Sequence, residues 1–283
     1  MATHGYNLTA TVNNMNVAYD DLGEGTTPVI FLHGFPFNRT MWKEQLEALQ
    51  SETRVIACDL RGFGKSEDET SFLSIDQFAD DLIGFMDALR IEKAIICGLS
   101  MGGYIALNAV NRFKNRFEAL ILCDTQCYSD TAEAKQKRYA SMDEISTNGI
   151  SAFNEPFLKS VCAAKTLETK PEVIEALREM VYSTSEHSLT MGLTALAERH
   201  ETCSILSTID MPALIICGSE DAVTPPEKSE YLHEQIYGSV LRIIDEAGHV
   251  SNLEQPELFN THILHFIHAL DTIHVEKQVS IKK

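Results

Sequence analysis

The chain has 283 residues, which is long enough for one large α/β domain or two small ones with a full hydrophobic core. Its 41 acidic and 23 basic residues give a formal net charge of −18. Such a surface repels phosphate backbones and anionic lipid, so we expect neither nucleic acid nor a membrane as a partner. No apolar run approaches the roughly 18 residues of a membrane-spanning helix, and Met1–Tyr6 does not resemble a secretory signal.

The seven cysteines include no C-x-x-C pair, and their odd number argues against a complete set of intramolecular disulfides. Four of them end apolar runs that are typical of strands, namely Cys58, Cys97, Cys123 and Cys217. A free cysteine in that position behaves as a small buried hydrophobic residue. We therefore expect reduced thiols and a cytoplasmic protein.

The first third of the chain alternates short apolar segments with amphipathic ones. Residues 8–20, centred on Asn13-Asn14, predict an antiparallel hairpin at a sheet edge. Strands are then predicted at 28–32, 54–58, 93–97 and 120–123, with helices near 40–49, 75–89 and 104–110 between them. This alternation is typical of a parallel sheet that is covered by helices on both faces.

The alternation of strand-like and helix-like segments stops between residues 125 and 208, where no strand-like run occurs. Candidate helices lie near 132–146, 151–161, 171–182 and 186–200, so the segment is predicted to be a helical insertion. Strands return at 213–217 and 240–244, with a helix near 227–236 between them, and a closing helix is predicted at 256–270. The predicted organisation is a core of residues 1–124 and 209–270, a helical cap of residues 125–208, and a polar, frayed tail of residues 271–283.

The segment from Gly98 to Gly103, with the sequence GLSMGG, joins a predicted buried strand to a predicted helix. Glycines on either side of Ser100 permit a sharp turn in which a larger side chain would collide with the neighbouring elements. The Ser100 hydroxyl is then exposed above the sheet, and the Met101 N–H is placed to bind an oxyanion. The alternative is an ordinary turn serine between a closely packed strand and helix.

A nucleophilic serine needs a histidine base that is oriented by a carboxylate. Catalytic groups in open α/β sheets gather at the carboxyl ends of strands, and His249 follows the predicted strand that ends near residue 244. His33 also follows a strand, but its place before Gly34 suits a structural role in the oxyanion loop.

Three acidic residues compete for the third role. Asp221 follows the strand that ends at Cys217 and gives the chain order Ser, Asp, His, whereas Glu220 is adjacent to it and Asp124 follows another strand. A single acid after a strand is most often a loop cap. Three suitable residues in the right order at three strand ends favour the catalytic interpretation, with Asp221 as the acid.

Three histidines on the predicted last helix, His262, His265 and His268, recur every third residue. The third of them has turned well away from the first, and no nearby carboxylate or cysteine completes a metal site. We expect a partly solvated helix face there and no metal or cofactor.

The chain resembles the α/β-hydrolase fold family, and the resemblance covers nearly its whole length. The motifs that carry it are His33-Gly34, the turn 59–66 (DLRGFGKS), the segment 98–103, the loop 218–221 (GSED), and Gly248-His249 followed by 253–256 (LEQP). The resemblance implies a mostly parallel eight-stranded sheet with helices on both faces and a helical cap inserted after the sixth strand.

The resemblance also implies roles for individual residues. Ser100 would be the nucleophile, His249 the base and Asp221 the acid, and the N–H groups of Phe35 and Met101 would form the oxyanion hole. Within the family the chain is most similar to small-ester hydrolases and enol-lactonase-like members. We therefore expect a hydrolase of small carboxylic esters or lactones that works through an acyl-enzyme, as a monomer or homodimer.

Two alternatives remain. One is another enzyme with the same three residues, either a hydrolase of carbon–carbon bonds in β-diketones or a perhydrolase, and the other is a ligand receptor without turnover.

The candidate pocket residues are Trp42, Phe153, Phe157 and Met191. The alternative interpretation of each is an ordinary packing residue. Arg39 is either a contact for an anionic substrate group or a solvated loop residue.

Overall fold

The computed structural model describes residues 4–66 and 72–281. These residues form one eight-stranded sheet, and its strands in chain order are β1 (Gly5–Val12), β2 (Met15–Leu22), β3 (Val29–Leu32), β4 (Val55–Cys58), β5 (Ala94–Leu99), β6 (Phe117–Cys123), β7 (Ala213–Gly218) and β8 (Val240–Ile244). Their spatial order is β1-β2-β4-β3-β5-β6-β7-β8. Strands β1 and β2 form an antiparallel hairpin, and β2 also pairs antiparallel with β4. The six strands β4-β3-β5-β6-β7-β8, in spatial order, pair parallel to one another. The predicted sheet is therefore confirmed.

Within the described residues the α-helices are α1 (Lys43–Leu49), α2 (Ile75–Ala88), α3 (Met101–Phe113), α4 (Ala132–Asn148), α5 (Ile150–Val161), α6 (Ala164–Thr169), α7 (Pro171–Tyr182), α8 (Glu186–Ala197), α9 (Pro226–Gln235), α10 (Ser251–Glu254) and α11 (Pro256–Ile281). Short 3-10 turns precede α1, follow α3 and follow α8. Ser74 caps the start of α2, where its hydroxyl accepts a hydrogen bond from the Gln77 N–H at 3.1 Å.

Side chains of the central strands alternate between two apolar layers. Ile30 and Leu32 of β3 pack with helices α2, α3 and α9, whereas Val29 and Phe31 pack with α1 and α11. Because both faces are covered, these strands are apolar along their whole length. The carboxyl ends of the parallel strands are thereby held at one edge of a rigid sheet.

Helices α4 to α8 lie between β6 and β7, at the place of the predicted cap. The short helix α6 was not predicted, because its sequence AKTLET has no apolar periodicity. Gly149, at φ 81°, separates α4 from α5. Pro171 occupies the first turn of α7, where a missing N–H is tolerated.

The expectation that all thiols are reduced is wrong for two residues. Cys127 and Cys203 form a disulfide across 76 residues of chain, and the other five cysteines are free and buried. The bridged residues lie where the chain leaves the core after β6 and where it returns before β7. Sequence spacing gave no sign of this pair because the fold, rather than the chain, makes them neighbours.

The predicted end of the last helix at residue 270 is also wrong. Helix α11 continues to Ile281, and residues 282–283 of the predicted tail lie outside the described part. The sequence from 271 to 281 contains neither glycine nor proline, so nothing in it breaks a helix. In the described ranges, every helix is too short or too polar to cross a membrane.

Candidate active site

The chain turns sharply at Ser100, between β5 and α3. Ser100 has a positive φ of 52° with ψ −112°, a strained conformation for a residue with a side chain. A Cβ at Gly98 would overlap the carbonyl group of Gly102, and a Cβ at Gly102 would overlap that of Leu32. The glycines are required because strand and helix backbones pass this close to each other.

Ser100, His249 and Asp221 form a chain of hydrogen bonds. His249 Nε2 lies 2.9 Å from Ser100 Oγ, and His249 Nδ1 lies 2.9 Å from Asp221 Oδ2. All three residues are buried, with 9% of Ser100 accessible to solvent. The fold thus brings together residues that are 28 and 149 positions apart in sequence.

The hydrogen bonds determine which imidazole nitrogen carries the proton. An ionised Asp221 has no proton to give, so His249 Nδ1–H donates to it, and Nε2 keeps its lone pair toward Ser100. The Ser100 hydroxyl can then donate its proton to Nε2. This arrangement is capable of general-base activation of a serine.

Asp221 is held by three donors from its own loop. Its Oδ1 accepts the N–H groups of Val223 and Thr224 at 2.8 and 2.9 Å, and its Oδ2 accepts the Thr224 hydroxyl at 2.8 Å. Thr224 was not singled out in the sequence. The signal was an aspartate followed by threonine three positions later, a spacing at which an acid side chain caps the next turn.

The pKa values of the buried residues Asp221 and His249 shift in opposite directions. Burial by itself would raise the pKa of Asp221, but attraction to His249 and the hydrogen bonds from His249 and Thr224 outweigh it, so that pKa is lowered. Burial would lower the pKa of His249, yet attraction to Asp221 and their hydrogen bond raise it above its ordinary value of 6.5. The pair therefore favours a carboxylate beside a basic imidazole.

The two competing acids make their hydrogen bonds to groups other than the histidine ring. Asp124 is fully buried and accepts hydrogen bonds from the Gly218 N–H at 2.8 Å and the Ser251 hydroxyl at 2.6 Å. Glu220 accepts the Ala164 N–H of the cap at 3.3 Å. Among the three acids considered, only Asp221 hydrogen-bonds to His249.

A buried histidine fixes the loop after β3. His33 Nδ1 lies 2.9 Å from the Gly34 carbonyl, so it must carry a proton and donate, and Nε2 accepts the Leu60 N–H at 3.0 Å. Burial lowers the pKa of His33, which favours this neutral form. A Cβ at Gly34 would lie 3.4 Å from Ser100 Cβ. The loop that carries Phe35 therefore lies beside Ser100, as an oxyanion-binding loop requires, while the assignment of the Phe35 and Met101 N–H groups stays a prediction.

Aromatic side chains connect this loop to the cap. The Phe35 ring lies 6.0 Å from both Phe63 and Phe153, and Phe153 stacks on Phe157 at 5.5 Å. A surface groove of about 530 Å³ runs between α4 and α5, and it is lined by Lys137, Ala140, Ser141, Glu144, Ala152, Phe153, Pro156, Phe157 and Ser160. Met191 of α8 is half-buried and packs against the core layer that contains Phe35. Phe153 and Phe157 thus lie between the groove and the loop beside Ser100.

The interpretation of Trp42 as a pocket residue is wrong. Trp42 is completely buried between Phe31 of β3 and Phe259 of α11, with ring centroids 4.9 and 6.1 Å away. It belongs to the core layer that faces α1 and α11, whereas Phe35 belongs to the other layer. The indole of Trp42 is large and mostly apolar, and it lies on the inward side of the 3-10 turn before α1, so it packs in the core.

Both readings of Arg39 are also wrong, because its guanidinium is buried in a structural ion-pair cluster. It contacts Asp20 Oδ2 at 3.1 Å, the Asn7 side chain at 2.8 Å and the Asp59 carboxylate. Each charge is thereby paired and hydrogen-bonded, as buried charges require. Arg39 is neither solvated nor available to a substrate.

Among the described residues, one group of potential metal ligands lies beside the acid loop. It consists of Asp124, Cys217 and Asp221, whose ligand atoms lie within 4.8 Å of one another. Both carboxylates already accept hydrogen bonds, and burial raises the pKa of the Cys217 thiol, which keeps it protonated. A protonated thiol is a poor metal ligand. We therefore interpret these three residues as buried packing and hydrogen-bonding residues around the acid loop rather than as metal ligands.

Comparison with known proteins agrees with this architecture. Residues 27–256 match the family model of the alpha/beta hydrolase fold. A 3-oxoadipate enol-lactonase from Acinetobacter baylyi is 31% identical over 253 residues, which cover 89% of this chain and 93% of the relative.

Solved structures are similar over nearly the full length. A thermophilic esterase from Thermogutta terrifontis superposes with a TM-score of 0.88 and 35% identity, covering 93% of this chain and 98% of that one. The enol-lactonase from Burkholderia xenovorans LB400 gives a TM-score of 0.86 and 27% identity, covering 92% and 100%. Because the family model spans well over half of the chain, the protein belongs to the α/β hydrolase fold family.

Proposed function

We propose that the protein is a serine hydrolase that cleaves a small carboxylic ester or lactone through an acyl-enzyme on Ser100. The observation that carries the proposal is the continuous hydrogen-bond chain from Ser100 through His249 to Asp221, with both links at 2.9 Å. The similarity to an esterase and to enol-lactonases supports the choice of substrate class.

In the proposed reaction, Ser100 Oγ attacks the carbonyl carbon while its proton passes to His249 Nε2. The N–H groups of Phe35 and Met101 stabilise the oxyanion. The carbon–oxygen bond of the ester breaks, and the alcohol leaves with the proton from His249. Water then attacks the acyl-enzyme with His249 again as the base. The bond between the acyl carbon and Ser100 Oγ breaks, His249 returns the proton to Ser100, and the acid is released.

We further propose that the substrate pocket is formed by Phe153, Phe157 and Met191 together with the Phe35 ring. Phe153 contacts Phe35 and also lines the groove between α4 and α5, so an apolar part of the substrate that occupies this groove would lie against rings that adjoin the loop beside Ser100. Burying methylene groups there contributes about 0.8 kcal/mol each. We expect KM to fall as the acyl or alcohol chain lengthens.

Two observations favour uncharged substrates. The formal net charge of −18 repels anions, and the guanidinium of Arg39 is occupied by Asp20 and Asp59. Kinetics with neutral esters, lactones and carboxylate-bearing analogues of equal length test this preference. Tighter binding of the carboxylate-bearing analogues would contradict it.

The assignment of Ser100 is tested with the Ser100→Ala variant and with Ser207→Ala, an exposed serine, as the control. Ser100→Ala should lower kcat for p-nitrophenyl esters by at least about 10⁴-fold and abolish labelling by a fluorophosphonate probe. Ser207→Ala should behave like the wild type. Hydrolysis by Ser100→Ala at the wild-type rate would refute the proposal.

A parallel panel separates the alternatives, which share the same three residues. Turnover of β-diketones but not of esters would indicate a carbon–carbon bond hydrolase, and peracid formation from an acyl donor with hydrogen peroxide would indicate a perhydrolase. A protein that binds esters but is neither labelled at Ser100 nor active would be a receptor.

A further inference from the structure

A buried carboxylate joins the cap to the loop that carries the histidine. Glu254 ends α10 and is inaccessible to solvent. Its Oε1 accepts the Gly248 N–H at 2.7 Å, and its Oε2 accepts the Ala163 N–H at 2.8 Å. One side chain thus connects the residue before His249 with the cap segment between α5 and α6.

A second contact joins the same two segments directly. The backbone N–H of His249 donates to the Val161 carbonyl at 2.8 Å. A Cβ at Gly248 would lie 2.7 Å from the Ala163 nitrogen, so the two backbones are as close as a glycine permits. The position of the His249 backbone therefore depends on cap residues 161–163.

We propose that Glu254 is a positioning residue for His249, which clamps the histidine loop to the cap so that the imidazole stays within reach of Ser100. The inference rests on the proposed serine-hydrolase function. The carboxylate is suited to this task because it accepts from two N–H groups at once, whereas an amide would turn its own N–H₂ toward one of these donors.

The clamp also places a negative charge near the imidazole. The groups that act on His249 are Asp221 from the loop after β7, Asp124 at the end of β6, and Glu254 from α10, and attraction to each of these three raises the pKa of His249. Lys170 Nζ donates to the backbone carbonyl of Glu254, and Lys165 pairs with Glu246 at 2.5 Å. Loss of the Glu254 charge should therefore lower the pKa of His249.

Two variants test the clamp with and without its charge. Glu254→Gln keeps the length of the side chain, removes the charge and loses one of the two hydrogen bonds, whereas Glu254→Asp keeps the charge but is one methylene too short to reach both donors. Glu257→Gln is the matched control because Glu257 is an exposed acid in the first turn of α11. Thermal unfolding of each variant shows whether it is folded before the kinetics are compared.

With p-nitrophenyl esters, we expect Glu254→Gln to lower kcat about ten- to a hundredfold with little change in KM, and to move the acid limb of the kcat/KM profile to lower pH. Glu254→Asp should lower kcat with a smaller movement of that limb, and Glu257→Gln should do neither. A merely structural side chain would change stability without moving the acid limb.

Three outcomes are distinguishable. If the folded Glu254→Gln variant keeps both the wild-type kcat and the wild-type acid limb, the inference is wrong. If Glu254→Gln fails to fold, a wild-type kcat in Glu254→Asp is sufficient to reject it. If the wild type itself neither hydrolyses esters nor reacts with a fluorophosphonate, the proposed function fails instead.

Discussion

The ring of Phe35 packs directly against the backbone of Gly192 on α8, so close that a Cβ at Gly192 would lie 2.6 Å from the ring. Phe35 is also enclosed by Phe63 and Phe153, which leaves the ring little room to move. Gly192→Ala should therefore displace the loop that carries the proposed Phe35 donor. We expect kcat to fall about tenfold or more, measured with p-nitrophenyl acetate.

The matched control is Thr190→Ala on the same helix, which adds no atoms toward Phe35. Its hydroxyl donates to the carbonyls of Glu186 and His187 within α8 itself. An unchanged kcat in Gly192→Ala, with Thr190→Ala also unchanged, would mean that cap packing does not position the loop.

Asp221→Asn tests the role of the acid. The amide can present an N–H to His249 Nδ1, which then becomes the acceptor and leaves Nε2 protonated toward Ser100. That tautomer cannot take the serine proton, so kcat should fall by about 10³–10⁴-fold. Asp124→Asn is the comparison, because Asp124 hydrogen-bonds to Gly218 and Ser251 rather than to His249, so its loss should cost much less activity. A similar loss in both variants would contradict the assignment of Asp221.

The pH dependence follows from the raised pKa of His249. Only the neutral imidazole accepts the serine proton, so activity is present above that pKa and is lost as the pH falls through it. Burial lowers the pKa of His249, but attraction to Asp221, their hydrogen bond and the charges of Asp124 and Glu254 together outweigh it, so the acid limb of kcat/KM should have its midpoint above 6.5. A midpoint below 6.5, in a profile measured with a neutral ester, would show that burial dominates.

The disulfide between Cys127 and Cys203 should stabilise the protein. A disulfide typically stabilises a protein by about 2–4 kcal/mol, so the Cys127→Ser, Cys203→Ser double variant should unfold at a lower urea concentration than the wild type. Thiol titration of the unreduced, denatured wild type should find five thiols rather than seven.

A reductant gives the control for this prediction. It should lower the urea midpoint of the wild type toward that of the double variant and leave the double variant unchanged. Seven titratable thiols in freshly purified protein would show that the bridge does not form under those conditions.

Local sequence patterns were sufficient for most of the secondary structure. The central strands are buried on both faces, so their continuous apolar runs are distinctive, and the helix predicted near 75–89 corresponds to α2 (Ile75–Ala88). Sequence patterns did not predict α6 in the cap, because its sequence has no apolar periodicity. They also did not predict that α11 continues past residue 270, where the sequence is polar but contains no helix breaker.

The sequence by itself determined the fold class and the residue types at three strand ends, because chain order, glycine spacing and hydrophobic runs are local properties. Only the tertiary structure decided which acid contacts His249, that Trp42 and Arg39 are interior residues, and that Cys127 meets Cys203. These relationships join distant residues, and they depend on how strands and helices pack in space. The contacts of Glu254 belong to the same class, since its two hydrogen-bond donors, the N–H groups of Ala163 and Gly248, are far apart in sequence.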